Sequence, residues 1–210
     1  MWSKEISIKV FTGIVIAIAV CLFAWSMLSV NFSQIDAGLI TLAGLTLFCG
    51  FFLRAELPRL GISLSLSDGL IILCILLYGG PSAILLATVE SILAALHLRR
   101  KGAVLRIDAI FAYAGFAAIS VFAASSITSW IFGPFAIILD RQDLTSFVWL
   151  LGSLSLLLFV INSVLHAVFS CLKDDHPFAR VWTGSLLNTA VIYLTGGVVA
   201  GLMFSALERA

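Results

Sequence analysis

The 210 residues of this chain are 61% hydrophobic and only 11% charged, with a mean hydropathy of +1.16. A water-soluble domain carries roughly 25% charged residues, so this chain has too few charges to cover a globular surface. The formal net charge of +1 also argues against the basic footprint of a nucleic-acid-binding protein. We therefore predict an all-α, polytopic integral membrane protein that forms a single transmembrane domain over 1–210, with the lipid bilayer as its main partner.

About seven apolar segments suit a helical bundle in a membrane. A helix needs about 20 apolar residues to cross a hydrocarbon core roughly 30 Å thick. The first segment is longer than the apolar part of a signal peptide, so we expect it to stay attached. The segments lie near 8–29, 36–54, 63–79, 81–98, 108–132, 146–172 and 182–207.

The third and fourth segments are short, and Gly79-Gly80-Pro81 separates them. This sequence breaks a helix because proline cannot continue the backbone hydrogen bonding. We expect a helical hairpin over 63–98. Two alternatives stay open: the hairpin crosses the membrane as a pair of spans, or it only dips into it.

Basic residues occur in every second connection between the segments. Lys and Arg are enriched in cytoplasmic loops, so this alternation predicts a multi-pass protein of the cell inner (plasma) membrane with a cytoplasmic N-terminus. Because the number of segments is odd, we expect the C-terminus on the outer side. The basic residues of the cytoplasmic side are Lys4, Lys9, Arg54, Arg59, Arg99, Arg100, Lys101, Arg106, Lys173 and Arg180.

Two carboxylates fall within the hairpin, where an ionisable group costs about 2.5–3.5 kcal/mol on insertion scales. Asp68 fits the first turn of a helix capped by Ser65 or Ser67, and it also fits the polar floor of a ligand pocket. Glu90 lies between apolar residues in the middle of its segment. It is interpreted either as a structural contact to a serine, an asparagine or His166, or as a group that binds a ligand, an ion or a proton.

Three further polar residues lie in the last two segments. Asn162 and His166 are four residues apart and share one helix face, and Asn188 lies in the seventh segment. Such side chains form ordinary interhelical hydrogen bonds in membrane proteins. If all three converge with Glu90, they form a buried polar cluster suited to a small ligand or a titration switch.

The motifs of known enzymes are missing from this sequence. It has no metalloprotease, nucleophile-elbow or nucleotide-binding motif, and its four cysteines lie singly in apolar segments. We expect no enzymatic activity, no metal and no cofactor. An intramembrane hydrolase built on a serine, His166 and Asp68 is the remaining catalytic alternative.

Several short stretches carry a resemblance to a known family, and they are Ser63–Asp68, Leu76–Pro81, Ala87–Glu90, Phe159–Asn162, Ala179–Trp182 and Gly196–Gly201. Together they resemble the N-terminal multi-pass (MASE-like) sensor domain of bacterial GGDEF and HD-GYP cyclic-di-GMP signalling proteins. The resemblance covers most of 55–205, but Ile107-Asp108 stands where the family has Phe-Asn. It implies a sensory input module, and the missing output domain implies a stand-alone or truncated sensor half.

The chain is also similar, more weakly, to the substrate-binding (S) components of energy-coupling-factor vitamin transporters. Those proteins have six spans, a similar size and a comparable Gly-Pro hairpin. They tend to carry an A-x-x-x-A motif in the first span, and here that span reads Ala17-Ile-Ala19-Val-Cys21 instead.

Together these features predict a membrane-embedded sensory or ligand-binding module for a small lipophilic or weakly polar molecule. The first alternative is the substrate-binding component of a small-molecule transporter. The second is a structural membrane partner without a ligand. A homodimer or a membrane partner subunit is compatible with each of these functions.

Overall fold

The computed structural model describes residues 2–30, 36–52, 55–57, 62–64, 67–102, 106–135, 144–174 and 178–208. Within these ranges the chain forms a helical bundle of six helices with one pair of short strands. In chain order the elements are α1 Trp2–Ser29, α2 Ala37–Phe52, β1 Ala55–Leu57, β2 Ile62–Leu64, α3 Ser67–Arg100, α4 Ile107–Phe132, α5 Leu144–Asp174 and α6 Phe178–Glu208.

One pair of three-residue strands accompanies the helices, and the helical bundle agrees with the predicted all-α class. Strands β1 and β2 are antiparallel, with Ala55 opposite Leu64 and Leu57 opposite Ile62. The prediction left Ala55–Leu57 in the connection between the second and third segments, and it began the third segment near residue 63, within β2. The alternation of apolar residues and serine from Ile62 has the period of two that is typical of a strand. The helix consequently begins at Ser67.

The predicted third and fourth segments form the single element α3, which folds back on itself. Gly79 has the non-helical angles φ 81° and ψ 174°. The Ser67 hydroxyl donates a hydrogen bond of 3.1 Å to Glu90 Oε1, across 23 residues of sequence. A straight helix would separate these residues by about 34 Å. The chain therefore reverses at Gly79, and α3 is a helical hairpin with a first arm (67–78) and a second arm (80–100).

The first arm forms the centre of the bundle. Its residues Ile72, Cys74 and Ile75 are fully buried. Around it, α3 packs against α1, α2, α4 and α6. At Gly69 the packing brings two backbones together, because a Cβ atom there would lie 2.9 Å from the carbonyl oxygen of Gly196 in α6.

Four of the described helices, α1, α3, α4 and α5, are long and apolar enough to cross a membrane, judged by length and composition; α2 and 190–206 are shorter apolar helices. Because α3 folds back, each of its arms has its own length. At a rise of 1.5 Å per residue the first arm is about 18 Å long and the second about 31 Å. Only the second arm matches the thickness of a hydrocarbon core by itself.

The tip of the hairpin is attached to the start of α2. Asp36 Oδ1 accepts hydrogen bonds from the backbone N–H of Leu39 at 2.8 Å and from the Tyr78 hydroxyl at 3.0 Å. The Leu39 N–H and then the Tyr78 hydroxyl hold the pKa of the Asp36 carboxyl below its usual value. One exposed carboxylate thus caps α2 and fixes the residue that precedes Gly79.

We predict that Gly79→Ala destabilises the protein by roughly 1–3 kcal/mol, because a residue with a Cβ is strained at this positive φ. Thermal unfolding in detergent measures the change. Gly44→Ala is the matched control, since Gly44 lies in α2 with open space around its Cα and should leave stability unchanged or slightly higher. Equal melting temperatures for Gly79→Ala and the wild type would contradict the reversal at Gly79.

The Asp36 contact predicts a pH dependence of stability. The folded-state pKa is lowered, so the contribution is present above the unfolded-state pKa, which is about 3.9, and is lost as the pH falls through the lowered folded value. Asp36→Asn should therefore lower the melting temperature at neutral pH but reduce the further loss on acidification, with Tyr78→Phe intermediate. Melting curves recorded in detergent from neutral to acidic pH check this. Parallel curves for wild type and Asp36→Asn would show that the contact contributes nothing.

Candidate functional site

Glu90 is a buried carboxylate in the apolar bundle, with 8% of its surface exposed. It lies on the second arm of α3 and accepts the hydrogen bond of Ser67 from the first arm. On another side it meets α2 at Gly50, where an added Cβ would collide with Glu90 Oε1 and lie 3.0 Å from its Cγ. The carboxylate therefore fills a space between both arms and α2 that exists because residue 50 has no side chain.

Asp68 lies beside this contact because it follows Ser67 in the first turn of α3. Its side chain is half-buried. A helix N-terminus favours negative charge, so the start of the first arm suits a carboxylate. Because Ser67 bonds Glu90 and precedes Asp68, the carboxylates of Asp68 and Glu90 lie at one level of the bundle. Both lie close enough to act electrostatically on Tyr193 of α6.

Tyr193 joins the carboxylates to α5. Its hydroxyl oxygen accepts a hydrogen bond of 2.8 Å from Asn162 Nδ2. Tyr193 also lies one helical turn before Gly196, the residue that contacts Gly69 of the first arm. Three helical elements therefore contribute to one set of polar side chains. We call this set the polar cluster, which consists of Ser67, Asp68, Glu90, Asn162 and Tyr193.

His166 belongs to a different group of side chains. Its ring stacks on Tyr113 with centroids 5.3 Å apart and an 18° interplanar angle, and it meets Phe116 edge-on at 5.0 Å. Both partners are on α4. His166 follows Asn162 by four residues, so its side chain lies about 6 Å further along α5 and is rotated by about 40°. At that position the neighbouring helix is α4 instead of α6. The side chain of Asn188 lies outside the described part of α6.

Two hydrogen-bonding partners in α6 were not predicted from the sequence. Tyr193 bonds Asn162, and the Trp182 indole N–H donates a 3.2 Å hydrogen bond to the Ser163 hydroxyl. Both side chains are amphipathic rings that carry a hydrogen-bonding group, which is the one signal that could have identified them. Ser67 was predicted as a helix cap, whereas it is the first residue of α3 and its hydroxyl reaches the opposite arm. Ser65 lies outside the described residues.

The polar cluster combines acceptors and donors in an apolar environment. Two carboxylates accept hydrogen bonds or hold a proton, while serine, asparagine and tyrosine supply donors. Among the described residues, no three His, Cys, Asp or Glu side chains lie close enough to hold a metal ion. The arrangement is suited to binding a small polar group or a proton.

Comparison with known proteins finds no relative: no family model matches the chain, no curated protein matches its sequence, and no solved structure matches its fold. The resemblances to MASE-like sensors and to transporter S components therefore rest on short motifs alone. The polar cluster is therefore the feature of the molecule from which a function can be inferred.

We predict a measurable coupling between Asn162 and Tyr193. In a double-mutant cycle of Asn162→Ala and Tyr193→Phe, the interaction energy should be about 0.5–1.5 kcal/mol, the range of interhelical hydrogen bonds in membrane proteins. Unfolding in mixed micelles provides the free energies. His166→Phe combined with Tyr193→Phe is the control pair, and it should be additive because the two residues lie in different groups. Additivity for both pairs would remove Asn162 from the polar cluster.

Proposed function

We propose that this chain is a multi-pass protein of the cell inner membrane, with a cytoplasmic N-terminus, that acts as a sensory ligand-binding module. The ligand occupies the polar cluster and changes how the α3 hairpin packs against α2 and α6. We propose no catalytic role. The contacts of His166 are with the rings of α4, which gives no support to a hydrolase that pairs it with Asp68.

The membrane placement is supported by the outer surface of the bundle. Large apolar side chains point outward, among them Leu28 at 89% and Trp130 at 87% exposed. Leu202 of α6 is exposed as well. Large apolar side chains exposed in such number are unfavourable in water and favourable in lipid. The cytoplasmic N-terminus rests on the alternation of basic residues along the sequence.

The single observation that carries the ligand-binding proposal is the position of Glu90 between the two arms of the hairpin. A carboxylate buried in an apolar bundle is expensive, and such groups mark ligand, ion or proton sites in membrane proteins. Ser67 holds Glu90 from the first arm and Gly50 leaves space for it from α2. Any ligand or proton that changes the contacts of Glu90 therefore acts directly on the packing of the two arms of α3 against each other and against α2.

A signal requires only that the ligand bind two packings of the bundle with different affinity. The α3 hairpin is the element whose packing the ligand changes in this proposal. Its two arms are joined at Gly79 and are bonded to each other through Ser67 and Glu90. The polar cluster also lies near one end of the bundle, because Glu90 is about 15 Å from Arg100 along the second arm.

The transporter alternative is supported by the same hairpin. Secondary transporters place substrate sites near the middle of the membrane, at helices that are interrupted and whose N-termini face the substrate. The first arm of α3 begins inside the bundle at Ser67, with Asp68 in its first turn. The chain would then act as a substrate-capture component that works with separate energising subunits.

Ligand retention tests the proposal. We expect detergent-purified wild type to carry a small molecule that mass spectrometry detects after denaturation, and re-addition of that molecule should raise the melting temperature. At a ligand concentration of 100 times Kd the stabilisation is about 2.7 kcal/mol. Glu90→Gln and Asn162→Ala should lose both the retained molecule and the stabilisation.

His166→Phe is the matched control, because it changes a polar residue of the same helix outside the polar cluster and should keep both properties. Size-exclusion profiles show whether the variants are folded. Equal retention by all four proteins, or no retained molecule in wild type, would remove the ligand-binding proposal and leave the structural-partner alternative.

Reconstitution separates the sensor from the transporter. With the identified molecule outside proteoliposomes that contain this chain and its co-purifying subunits, a sensor binds it without accumulation in the lumen. Accumulation that depends on an energy source and is lost in Glu90→Gln would establish the transporter function instead.

A further inference from the structure

Three adjacent cations form a patch at the end of α3. Arg99 and Arg100 are in the last turn of the second arm, Lys101 follows them, and all three side chains are exposed. None of them forms an ion pair with an acidic side chain in the described part of the chain. The turn ends at Gly102, which has φ 98° and whose N–H bonds to the Arg99 carbonyl. We call Arg99, Arg100 and Lys101 the basic patch.

The neighbouring charges at this end of the bundle are balanced. Lys9 of α1 pairs with Glu5 at 2.8 Å, and Arg106 pairs with Asp108 of α4 at 2.9 Å. Arg106 also lies close enough to Glu5 for the two charges to attract. These four groups neutralise one another and add no net positive charge beside the basic patch.

An apolar stripe leads directly to the basic patch. Val89, Leu93 and Leu96 are 37%, 38% and 40% exposed, and with Arg100 they follow the spacing of a single helix face. The exposed surface thus changes from aliphatic to cationic within one turn, between Leu96 and Arg100. A surface that is apolar and then cationic over this distance complements the acyl chains and the phosphate of a phospholipid.

We propose that the basic patch binds the phosphate groups of anionic phospholipids, with the acyl chains against the stripe above it. This inference rests on the proposed membrane placement but not on the polar cluster. Guanidinium groups bind phosphate oxygens through two parallel hydrogen bonds, which suits Arg99 and Arg100. Cations at a helix C-terminus also stabilise the helix itself. That role needs no anion and predicts no preference among lipids.

Lipid binding to the purified protein in a neutral detergent tests the proposal. Native mass spectrometry with phosphatidylglycerol should show binding that phosphatidylcholine does not match and that weakens as salt is added. Each cation near an anionic surface contributes about fivefold in affinity, so Arg99→Gln/Arg100→Gln/Lys101→Gln should weaken phosphatidylglycerol binding on the order of 100-fold. Arg99→Lys/Arg100→Lys should retain most of it.

The matched single substitutions are Lys101→Gln and Lys173→Gln. Each removes one exposed positive charge at the same end of the bundle, but Lys173 is at the end of α5. Lys101→Gln should weaken phosphatidylglycerol binding about fivefold and Lys173→Gln less than twofold. Equal effects of the two substitutions would overturn the local site in favour of general charge attraction. Equal binding of phosphatidylcholine would show that the anionic charge of the lipid is not recognised and would overturn the proposal.

Two further outcomes separate the remaining explanations. If inorganic phosphate displaces phosphatidylglycerol at equal concentration, the patch is a site for a free anion and the lipid assignment is wrong. If the protein is monodisperse without detergent, the membrane placement is wrong, and the lipid proposal that rests on it is wrong as well.

Discussion

A carboxylate surrounded by apolar side chains must be held by donors, because the loss of water around its charge is otherwise uncompensated. In this bundle Glu90 meets that constraint with the hydroxyl of Ser67, which lies 23 residues earlier and on the opposite arm of the hairpin. The bond requires the chain to reverse between the two residues. This one contact is consistent with the reversal at Gly79, with the central position of the first arm and with the packing of α2 against α3.

Close backbone approach is the second requirement of the arrangement. Glu90 fits only because Gly50 leaves a gap in α2, and the first arm meets α6 where Gly69 faces Gly196. Small residues allow helices in membranes to approach in this way, so that van der Waals contact replaces the hydrophobic driving force that lipid does not supply. The polar cluster and the glycine contacts therefore belong to the same part of the fold.

The sequence predicted the features that depend on local chemistry. Gly79-Gly80-Pro81 indicated the hairpin, and the apolar segments agree with the observed helices to within a few residues at most of their ends. Glu90 was identified because a charge among apolar residues needs an explanation. The short strands were missed, although the alternation after Ile62 is local as well.

Contacts between distant helices could not be predicted in the same way. Tyr193 and Asn162 are 31 residues apart, and their hydrogen bond depends on how α5 and α6 cross. The face shared by Asn162 and His166 suggested one site, but a side chain one turn further along a helix can meet a different neighbour. His166 packs against the rings of Tyr113 and Phe116 on α4 instead.

The short length of α2 affects the lipid beside it in the proposed membrane setting. At 16 residues the helix is about 24 Å long, and Ile40, Phe48 and Phe52 face outward along it. A bilayer core of about 30 Å is thicker than this flank, so the lipid there must thin or the helix ends must be covered by flanking groups. Such hydrophobic mismatch makes the hairpin's immediate neighbour responsive to bilayer thickness, and membranes with longer or shorter acyl chains would strain the bundle on this side first.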